Sequence, residues 1–461
     1  MKRQVITLAV AALMLSSCGI YNKYQPATTV PEQLFGTEVT AGDTLSAAGG
    51  TNSLADMSWR ELFTDPQLQT LIEQSLQNNT DLQSAQWRVE EARASLSAAR
   101  LAYLPSFALA PQGTVSSFDK GKASQIYSLP VTSNWEIDIF GRLTNAKRRA
   151  KALHAQSQEY ELAVKTQLIA NMANAYYTLL MLDAQLAISE ETEVKWKESV
   201  RVMQALKNAG QGNEAGLAQT EATYYSICTA VLDLKEQISQ VENSLCLMLG
   251  ETPQSIRRGK LEGQVLPQEL SIGIPLQILA KRPDIKAAEL ALAQAFYTTN
   301  EARSAFYPSI TLSGSAGWTN GAGEMILNPG KLLLSAVGSL TQPLFNNGQN
   351  IARLKIAKAQ QEEAKLAFTQ SLLNAGAEVN NALKQNQTAR QKAGFYTKQI
   401  TSLQTAVSST RLLMQHGSST YLEVLTAQQT LLTAELTQVS NRFQEIQGVI
   451  NLYQALGGGR E

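Results

Sequence analysis

The chain has little histidine, little cysteine and no excess of either charge. Its 461 residues include two histidines, three cysteines, 39 Lys and Arg, and 39 Asp and Glu. A net charge of zero gives no electrostatic reason to expect a nucleic-acid partner. No C-x-x-C, H-E-x-x-H or G-x-x-x-x-G-K-[ST] motif occurs, so neither a zinc site nor a P-loop is supported. No nucleophile–base constellation stands out, and we predict a protein that is not an enzyme and binds no cofactor or metal.

Long apolar runs are also missing. No stretch after the N-terminus reaches 18 consecutive apolar residues, so the sequence predicts no transmembrane helix in the mature protein. A part that crossed a membrane would then have to be a β-barrel, because backbone polar groups find no water in lipid.

The N-terminus has the features of an export signal. Lys2 and Arg3 precede a short apolar segment over 5–15, which is too short to span a bilayer. The sequence "LSSCG" at 15–19 resembles the lipobox of a bacterial lipoprotein precursor. The resemblance implies a signal peptide over 1–17, acylation of Cys18, and a glycine after it that directs the chain to the outer membrane. A plain signal peptide with a chance cysteine is the alternative.

The other two cysteines, Cys228 and Cys246, lie in helical patterns. Their 18-residue spacing gives no pairing signal, so we predict small core residues. A disulfide is the alternative.

The chain contains a long internal repeat. "ARLAYLPS" at 99–106 matches "ARSAFYPS" at 302–309 at five of eight positions, with an offset of 203. Gly141 and Gly348 keep nearly the same offset, 207. A tandem duplication explains this constancy. We predict repeats over 58–249 and 276–461, with a linker over 250–275 and an acylated extended segment over 18–57.

Each repeat is predicted to begin with a helix that ends at a proline. Asp65 is suited to cap a helix with Pro66 in its first turn. The helical pattern stops at Pro105 and, in the second copy, at Pro308, because proline cannot continue a helix interior. The repeated motif therefore marks a switch from helix to strand.

Alternating residues follow each switch. Over 127–139 apolar residues occupy nearly every odd position and polar residues the even ones, which is typical of a strand with two unlike faces. We predict β-hairpins at 105–140 and 308–345, with strands of the length that a tilted membrane strand needs. A half-buried soluble hairpin is the alternative.

A very long helix is predicted after each hairpin. Residues 143–208 contain neither proline nor glycine, and 350–416 contain no proline, so each segment can form roughly 100 Å of helix. Return helices are predicted at 217–249 and 421–456. The predicted fold class is mainly α, with two membrane β-hairpins in a duplicated helix, hairpin and long-helix plan.

Four strands per chain cannot close a barrel. Two open edges in a bilayer would leave backbone groups unpaired, at several kcal/mol each. Two chains would give eight strands with a filled interior, and three would give twelve strands with a lumen. This favours a homotrimer, with a tetramer left open.

Two further motifs carry a resemblance to a known family. "WRELFTDPQL" at 59–68 and "HGSSTYLEVLTAQ" at 416–428, with the lipobox and the duplicated plan, resemble the outer membrane factor family. These are the TolC-type ducts, and more narrowly the NodT/OprM-like efflux lipoproteins. The resemblance implies a trimeric twelve-stranded barrel in the outer membrane and a helical barrel across the periplasm. It also implies an equatorial belt, to which 250–275 contributes.

The resemblance implies partners and a passive mechanism as well. The tunnel tip would meet a periplasmic adaptor protein and, through it, an inner-membrane pump. Drugs or other small solutes would pass to the outside once the closed tip helices splay. A lipid-anchored periplasmic coiled-coil protein without a pore is the alternative function.

The resemblance places a gate at the helical turns. Some family members carry two aspartates just past the second turn, where this chain has Glu423 and Thr426. Some carry a gate arginine where this chain has Ser419, so an arginine-locked gate is not expected. We predict a periplasmic gate at Glu423, Thr420 and Thr426, with three Glu423 carboxylates that attract cations and raise one another's pKa. A solvated glutamate on a helix face is the alternative.

The turns themselves are predicted to form the tip that contacts the adaptor. The tip residues are Gly210, Gly212, Gly216, Leu217, His416, Gly417, Ser418 and Ser419. Glycine permits tight turns. His416 has the side chain of a pH sensor, although an exposed histidine without a role is the simpler interpretation.

Overall fold

The computed structural model describes residues 21, 24–25, 54, 57–117, 119, 121–265, 282–319, 331–416 and 418–460. Cys18, the predicted signal peptide and Gly417 lie outside the described residues. None of the helices in the described part of the chain combines the length and the hydrophobicity that a bilayer span requires.

The first repeat consists of short helices, strands and two long helices. The elements are α1 (Trp59–Leu62), α2 (Pro66–Asn78), α3 (Thr80–Leu101), β1 (Ser106–Leu109), β2 (Gln112–Ser116), β3 (Ser124–Ile137), α4 (Arg142–Asn208) and α5 (Glu214–Leu249).

The described part of the second repeat has a helix, two strands and two long helices in the order in which α3 to α5 follow one another in the first. They are α6 (Pro283–Ser304), β4 (Ser309–Thr319), β5 (Lys331–Thr341), α7 (Gln349–Gln415) and α8 (Tyr421–Ala455). Helices α3 and α6 both have 22 residues, and α4 and α7 both have 67. The equal lengths match the duplication that the sequence predicts.

The predicted first helix is divided in two. Asp65 caps α2 as expected, with its Oδ1 accepting a hydrogen bond from the backbone N–H of Gln67 at 2.8 Å. Asn79 then leaves the helical conformation, and its Oδ1 accepts from the N–H groups of Asp81 and Leu82 at 3.0 Å each. The asparagine therefore starts α3 as a new helix, because its side chain satisfies the free donors of the first turn.

The strands form one antiparallel sheet in the order β1-β3-β4-β5, with β2 also paired to β3. Trp135 of β3 pairs with Leu312 of β4, and Ile310 of β4 pairs with Leu340 of β5. Directly paired residues lie on the same face of a sheet. One face is therefore apolar, and it consists of Leu129, Val131, Trp135, Ile137, Ile310, Leu312, Ala316, Trp318, Leu332, Leu334 and Leu340.

The opposite face of the sheet is mostly polar. It includes Ser128, Thr132, Asn134, Glu136, Thr311, Ser313, Ser315, Ser335 and Ser339. The apolar face is nonetheless exposed in the single chain: Leu334 and Leu340 keep 71% and 68% of their surface accessible. An apolar face that stays open to this extent is suited to lipid or to another chain.

The first strand of the hairpin predicted at 105–140 is interrupted. β1 and β2 pair with β3 in one continuous register, Leu109 with Val131 and Gln112 with Ser128. Pro111 and Pro130 lie between these two pairs of residues. Proline has no N–H to donate to the strand ladder, so the pairing is broken there.

The chain divides into two compact units that cut across the sequence repeats. The strand unit comprises the described residues within 87–159 and 286–370, together with Tyr21 and Tyr24. The helical unit comprises the described residues within 57–86, 160–285 and 371–460. Each repeat thus gives its strands to one unit and most of its long helices to the other.

Polar contacts hold the core of the helical unit. The Tyr176 hydroxyl donates to Asp65 Oδ2 at 2.7 Å and accepts from the Gly259 N–H at 2.9 Å. Arg258 pairs with both Asp183 and Glu242, which fixes the segment after α5 to α4 and α5.

The two described cysteines are free rather than joined in a disulfide. Cys246 is buried, and Cys228 is half-buried.

Candidate gate and tip of the helical unit

The turn between α4 and α5 ends the first long helix with a left-handed glycine. Gly210 has φ +74°, and its N–H donates to the Lys207 carbonyl at 3.0 Å. The N–H of Gln211 donates to the Leu206 carbonyl at 2.9 Å. These two bonds are the Schellman arrangement, which stops a helix where glycine supplies the left-handed residue.

Asn213 begins the return helix. Its side-chain oxygen accepts from the Gly216 N–H at 2.8 Å, as an N-cap residue does. Glu214 follows in the first turn and pairs with Lys207 on the other side of the loop. A negative side chain near a helix N-terminus is favourable, so the loop is fixed by a cap, an ion pair and a glycine.

Two further glycines of this turn lie against other groups. A Cβ on Gly212 would stand 3.1 Å from the Lys207 backbone nitrogen, and one on Gly216 would stand 2.8 Å from Met203 Cε. Gly212 therefore permits close approach of backbone to backbone, whereas Gly216 faces the end of a flexible side chain.

The turn between α7 and α8 repeats the helix end of the first turn. The Ser418 N–H donates to the Leu413 carbonyl at 2.8 Å, the same five-residue separation as Gln211 to Leu206. His416 is exposed at the end of α7. Thr420 has extended backbone angles and is the N-cap of α8, but its hydroxyl makes no capping bond to the backbone.

The Thr420 hydroxyl instead donates to a carboxylate. Glu423 lies in the first turn of α8, and its Oε1 accepts from Thr420 Oγ1 at 3.1 Å. Its Oε2 accepts from Ser419 Oγ at 2.5 Å. Hydrogen bonds to the ionised form favour that form, and those from Ser419 and then Thr420 lower the pKa of Glu423 below its ordinary value. Within the described ranges, no lysine or arginine is paired with this carboxylate.

Glu423 stands at the head of a row of hydroxyl side chains. The row continues along the exposed side of α8 with Thr426, Thr430, Thr433 and Thr437. Each of these hydroxyls donates to the carbonyl four residues before it, so each side chain is held against its own helix. Thr426 is therefore exposed and close to Glu423 along the helix, and its hydroxyl donates to the Leu422 carbonyl at 2.9 Å rather than to the carboxylate.

An apolar cluster supports the second turn. Trp196 of α4, Ile227 of α5 and Leu425 of α8 form a buried core, and Tyr224, Tyr421 and Leu432 pack against it. The indole Nε1 of Trp196 is buried and has no hydrogen-bond partner among the described residues. The first turn of α8 is thus attached to α4 and α5 two residues after Glu423.

The predicted tip residues differ in exposure. Gly210, His416 and Ser418 are exposed, and Ser419 is half-buried. Leu217 is 4% exposed and lies inside, beneath the first turn. The spacing of apolar residues along α5 points to this burial, whereas the roles of Asn213 and Trp196 depend on loop and packing geometry that the sequence does not reveal.

Within the described residues, no group of three or more His, Cys, Asp and Glu side chains is arranged to hold a metal ion. The chemistry of the site is that of three features: two glycine turns, one ionised carboxylate held by hydroxyls, and a row of threonines. Such a site can repel, attract or pass charged solutes.

A sheet with one apolar face, joined to 67-residue helices that return at glycine turns, defines a channel protein of the bacterial outer membrane. The family model described as "Outer membrane efflux protein" matches residues 71–251 and 274–458. The cation efflux system protein CusC of Escherichia coli (strain K12) is 31% identical over 459 residues, with 97% of this chain and 98% of CusC covered.

Two further relatives agree with this match. The probable outer membrane lipoprotein SilC of Salmonella typhimurium is 28% identical, with 99% of both chains covered. The crystal structure of the open state of the Neisseria gonorrhoeae MtrE outer membrane channel superimposes with a TM-score of 0.83 at 27% identity, covering 96% of this chain and 99% of MtrE.

This chain belongs to the outer membrane efflux protein family. It is an outer-membrane channel of an efflux system that extends into the periplasm. The predicted family and fold class are confirmed, and the match favours the channel over a periplasmic stalk without a pore. Members of the family are channel and transport proteins rather than enzymes.

Proposed function

We propose that three copies of this chain form one lipid-anchored channel that conducts drugs or other small solutes passively from an inner-membrane pump and its periplasmic adaptor to the outside. The observation that carries the proposal is the sheet with one apolar and one polar face, continued by the long helices of the family. The free energy for transport would come from the pump, because the chain has no chemistry of its own to supply it.

The edges of the sheet support assembly of several chains. Among the described strands, β1 pairs only with β3, and β5 pairs only with β4. Each therefore keeps one side without a strand partner, which is costly in lipid. Twelve strands from three chains would pair these edges and leave a lumen lined by the polar face.

Exposed apolar side chains on the helices also support assembly. Helical residues at least 63% exposed in the single chain are Trp87, Val194, Tyr225, Leu232, Leu247, Leu366 and Phe395. Large apolar side chains that are exposed in one chain are suited to contacts with another. Neighbouring copies would cover part of it.

The position of Tyr21 supports a lipid on Cys18. The Tyr21 hydroxyl donates to the Phe140 carbonyl at 2.6 Å, and the Phe140 ring stacks on Tyr307 at 5.3 Å between centroids. Both aromatic residues lie at strand ends, a common place for aromatic side chains at a membrane boundary. Cys18 is three residues away, or about 10 Å of extended chain, so an acyl group on it would reach the bilayer.

The gate is proposed at the second turn. Three Glu423 carboxylates, each held by Ser419 and Thr420, would form an acidic ring with Thr426 one turn further along. The hydroxyl bonds keep each carboxylate ionised, whereas crowding of like charges raises the pKa of each. The ring would therefore attract cations at neutral pH, and the repulsion among its carboxylates would oppose close approach of the three helices.

The exposed turns are proposed as the adaptor contact. Gly210, His416 and Ser418 present backbone and small polar groups to solvent. Leu217 would act from beneath, by holding the first turn in place. Gly212 and Gly216 keep the loop narrow enough for close approach.

The test is conductance of the purified protein in planar bilayers, with its mass in detergent measured by light scattering. We expect a trimer with discrete channel openings that are cation-selective. Glu423→Ala is expected to lower the cation selectivity, because it removes the acidic ring. Glu214→Gln, which removes a carboxylate paired with Lys207 in the other turn, is the matched control.

Three outcomes decide between the parts of the proposal. Equal selectivity in wild type and Glu423→Ala would keep the channel and discard Glu423 as its charge filter. An equal loss in Glu214→Gln would discard a specific role for Glu423. A folded monomer without conductance would contradict the trimeric channel itself.

A further inference from the structure

The helix ends that adjoin the strands carry a strong positive charge in a chain that is neutral overall. Residues 92–105, 139–158, 292–308 and 344–361 together contain eleven Lys and Arg but one Asp or Glu. All four stretches belong to the strand unit. The excess is therefore concentrated next to the sheet, at the level where its strands end.

Part of this charge lies on the side of the polar sheet face. Glu136 is on the polar face of β3 and pairs with Arg142. Arg149, two helical turns further along α4, pairs with Glu301 at 3.2 Å and lines one groove with Arg353 of α7. Carboxylates therefore balance two of these three arginines.

A second group of cations lies on the side of the apolar face. Trp135 is on that face, and its indole Nε1 donates to the Tyr103 carbonyl at 2.8 Å. Lys147 Nζ lies 5.3 Å from the centre of the Tyr103 ring. Lys151 lies about 40° around α4 from Lys147 and Arg148 about 100°, and both are on the half of the helix that faces away from Arg142. Both are exposed.

Helix α7 has two lysines on its side away from the groove that Arg353 lines. Lys355 is two residues after Arg353, or about 200° around the helix, and so points away from the groove that Arg353 lines. Lys358 shares the side of Lys355, together with Ile351, which is 55% exposed. Within the described residues, neither lysine takes part in an ion pair.

These five residues, Lys147, Arg148, Lys151, Lys355 and Lys358, form a basic stripe directly beyond the aromatic side chains that end the apolar face. Aromatic residues of this kind mark the boundary between hydrocarbon and headgroups. The next turns of helix then lie at the depth of the lipid phosphates, where each Lys or Arg strengthens attraction to anionic lipid by roughly fivefold.

We propose that the basic stripe binds the phosphate groups of anionic phospholipids in the periplasmic leaflet of the outer membrane. The side of the stripe decides this partner: it continues the lipid-facing surface, whereas two of the three arginines on the polar side are balanced by Glu136 and Glu301. The stripe would fix the depth of the channel in the bilayer and favour an annulus of anionic lipid around it. The proposal rests on the strands lying in the outer membrane with the apolar face toward lipid.

The test compares lipid retention by native mass spectrometry and by titration with phosphatidylglycerol or phosphatidylcholine in detergent. The wild type is expected to retain phosphatidylglycerol in preference to phosphatidylcholine. This preference should weaken as salt is raised, because salt screens the charges. A variant with all five stripe residues changed to Gln is expected to bind phosphatidylglycerol at least about tenfold more weakly. Inorganic phosphate at matched ionic strength should not displace the lipid, which separates a membrane surface from a free-anion site.

The matched control removes five other exposed cations, all in the helical unit: Lys197, Arg257, Lys392, Lys398 and Arg411, each changed to Gln. It is expected to keep the lipid preference. An equal loss in the control, or no preference in the wild type, would overturn the proposal. Conductance and trimer mass of the stripe variant show separately whether the channel still assembles. If it does not assemble, the proposal is tested by the wild type alone, whose preference for phosphatidylglycerol must weaken as salt is raised.

Discussion

The pKa of Glu423 is lowered by hydrogen bonds from the turn that precedes it. The sequence Ser-Thr-x-x-Glu has the form of a capping box, yet both hydroxyls donate to the carboxylate and neither caps the backbone. The pair lowers the pKa of Glu423, so one chain favours the ionised form. Crowding in a ring would act in the opposite direction, and the balance between the two sets the pH at which the ring loses its charge.

The Ser419 hydroxyl gives a prediction about pH. Ser419→Ala removes the first of the two hydrogen bonds that favour the carboxylate, so the pKa of Glu423 rises toward its ordinary value. Cation selectivity should therefore disappear at a higher pH in this variant than in the wild type as the solution is acidified. The measurement is the reversal potential in a salt gradient at a series of pH values.

Ser418→Ala is the control, because Ser418 is exposed and the two oxygens of the Glu423 carboxylate accept from Ser419 and Thr420 instead. Its selectivity should follow the wild type across the pH series. A midpoint in Ser419→Ala that is unchanged, or lower, would show that the hydroxyl does not act on the carboxylate that selects cations.

Helices and strands were predictable to different degrees. The 67-residue length of α4 follows from a stretch without proline or glycine, and α7 has the same length in spite of Gly376 and Gly394. Prolines also predicted the switch from helix to strand. The interruption near Pro111 was not predicted, because it requires knowing that Pro130 lies nearly opposite in the partner strand.

The candidate site was predictable only in outline. Glycines marked the turns, and the family resemblance pointed to Glu423. The bonds from Ser419 and Thr420 could not be predicted, since the same letters usually describe a backbone cap. The side of the sheet on which each nearby cation lies could not be predicted either. It depends both on the pleat of the strands and on the rotation of each helix about its axis.

Glycines at a helix end and in a helix interior should respond oppositely to alanine. Gly210 has φ +74° with no atom within 4 Å of a built Cβ, so Gly210→Ala strains the backbone and should cost about 1 kcal/mol. Gly394 is inside α7 and also has open space around it. Gly394→Ala should instead stabilise by about 0.5–1 kcal/mol.

The measurement for these two variants is the thermal unfolding midpoint in detergent at one protein concentration. Gly210→Ala should lower the midpoint and Gly394→Ala should raise it. A shift of the same sign in both would mean that local backbone conformation does not control the stability of the long helices.

At the scale of the molecule, duplication builds two kinds of surface from one plan. Each repeat supplies strands to the strand unit and long helices to the helical unit. A substitution in one repeat therefore affects only the part of each unit that this repeat supplies. Apolar and polar residues alternate along β3, β4 and β5, and the strand register pairs apolar residues with apolar residues across both repeats. The two unlike faces therefore belong to the whole sheet and not to a single strand.

This register predicts opposite responses at neighbouring positions of β5. Leu334 lies on the apolar face, two residues from the middle of the strand, and Ser335 lies on the polar face. Leu334→Arg should cost about 2–4 kcal/mol, because it places a charge in hydrocarbon, and should reduce the amount of trimer in the outer membrane. Ser335→Arg should leave the amount of trimer near that of the wild type and shift the conductance toward anions, because the new charge faces the lumen. Heat-modifiable trimer in membrane fractions and bilayer conductance measure the two effects. A sheet whose polar face met lipid would give the reverse pattern, and equal tolerance at both positions would mean that these strands do not lie in the membrane at all.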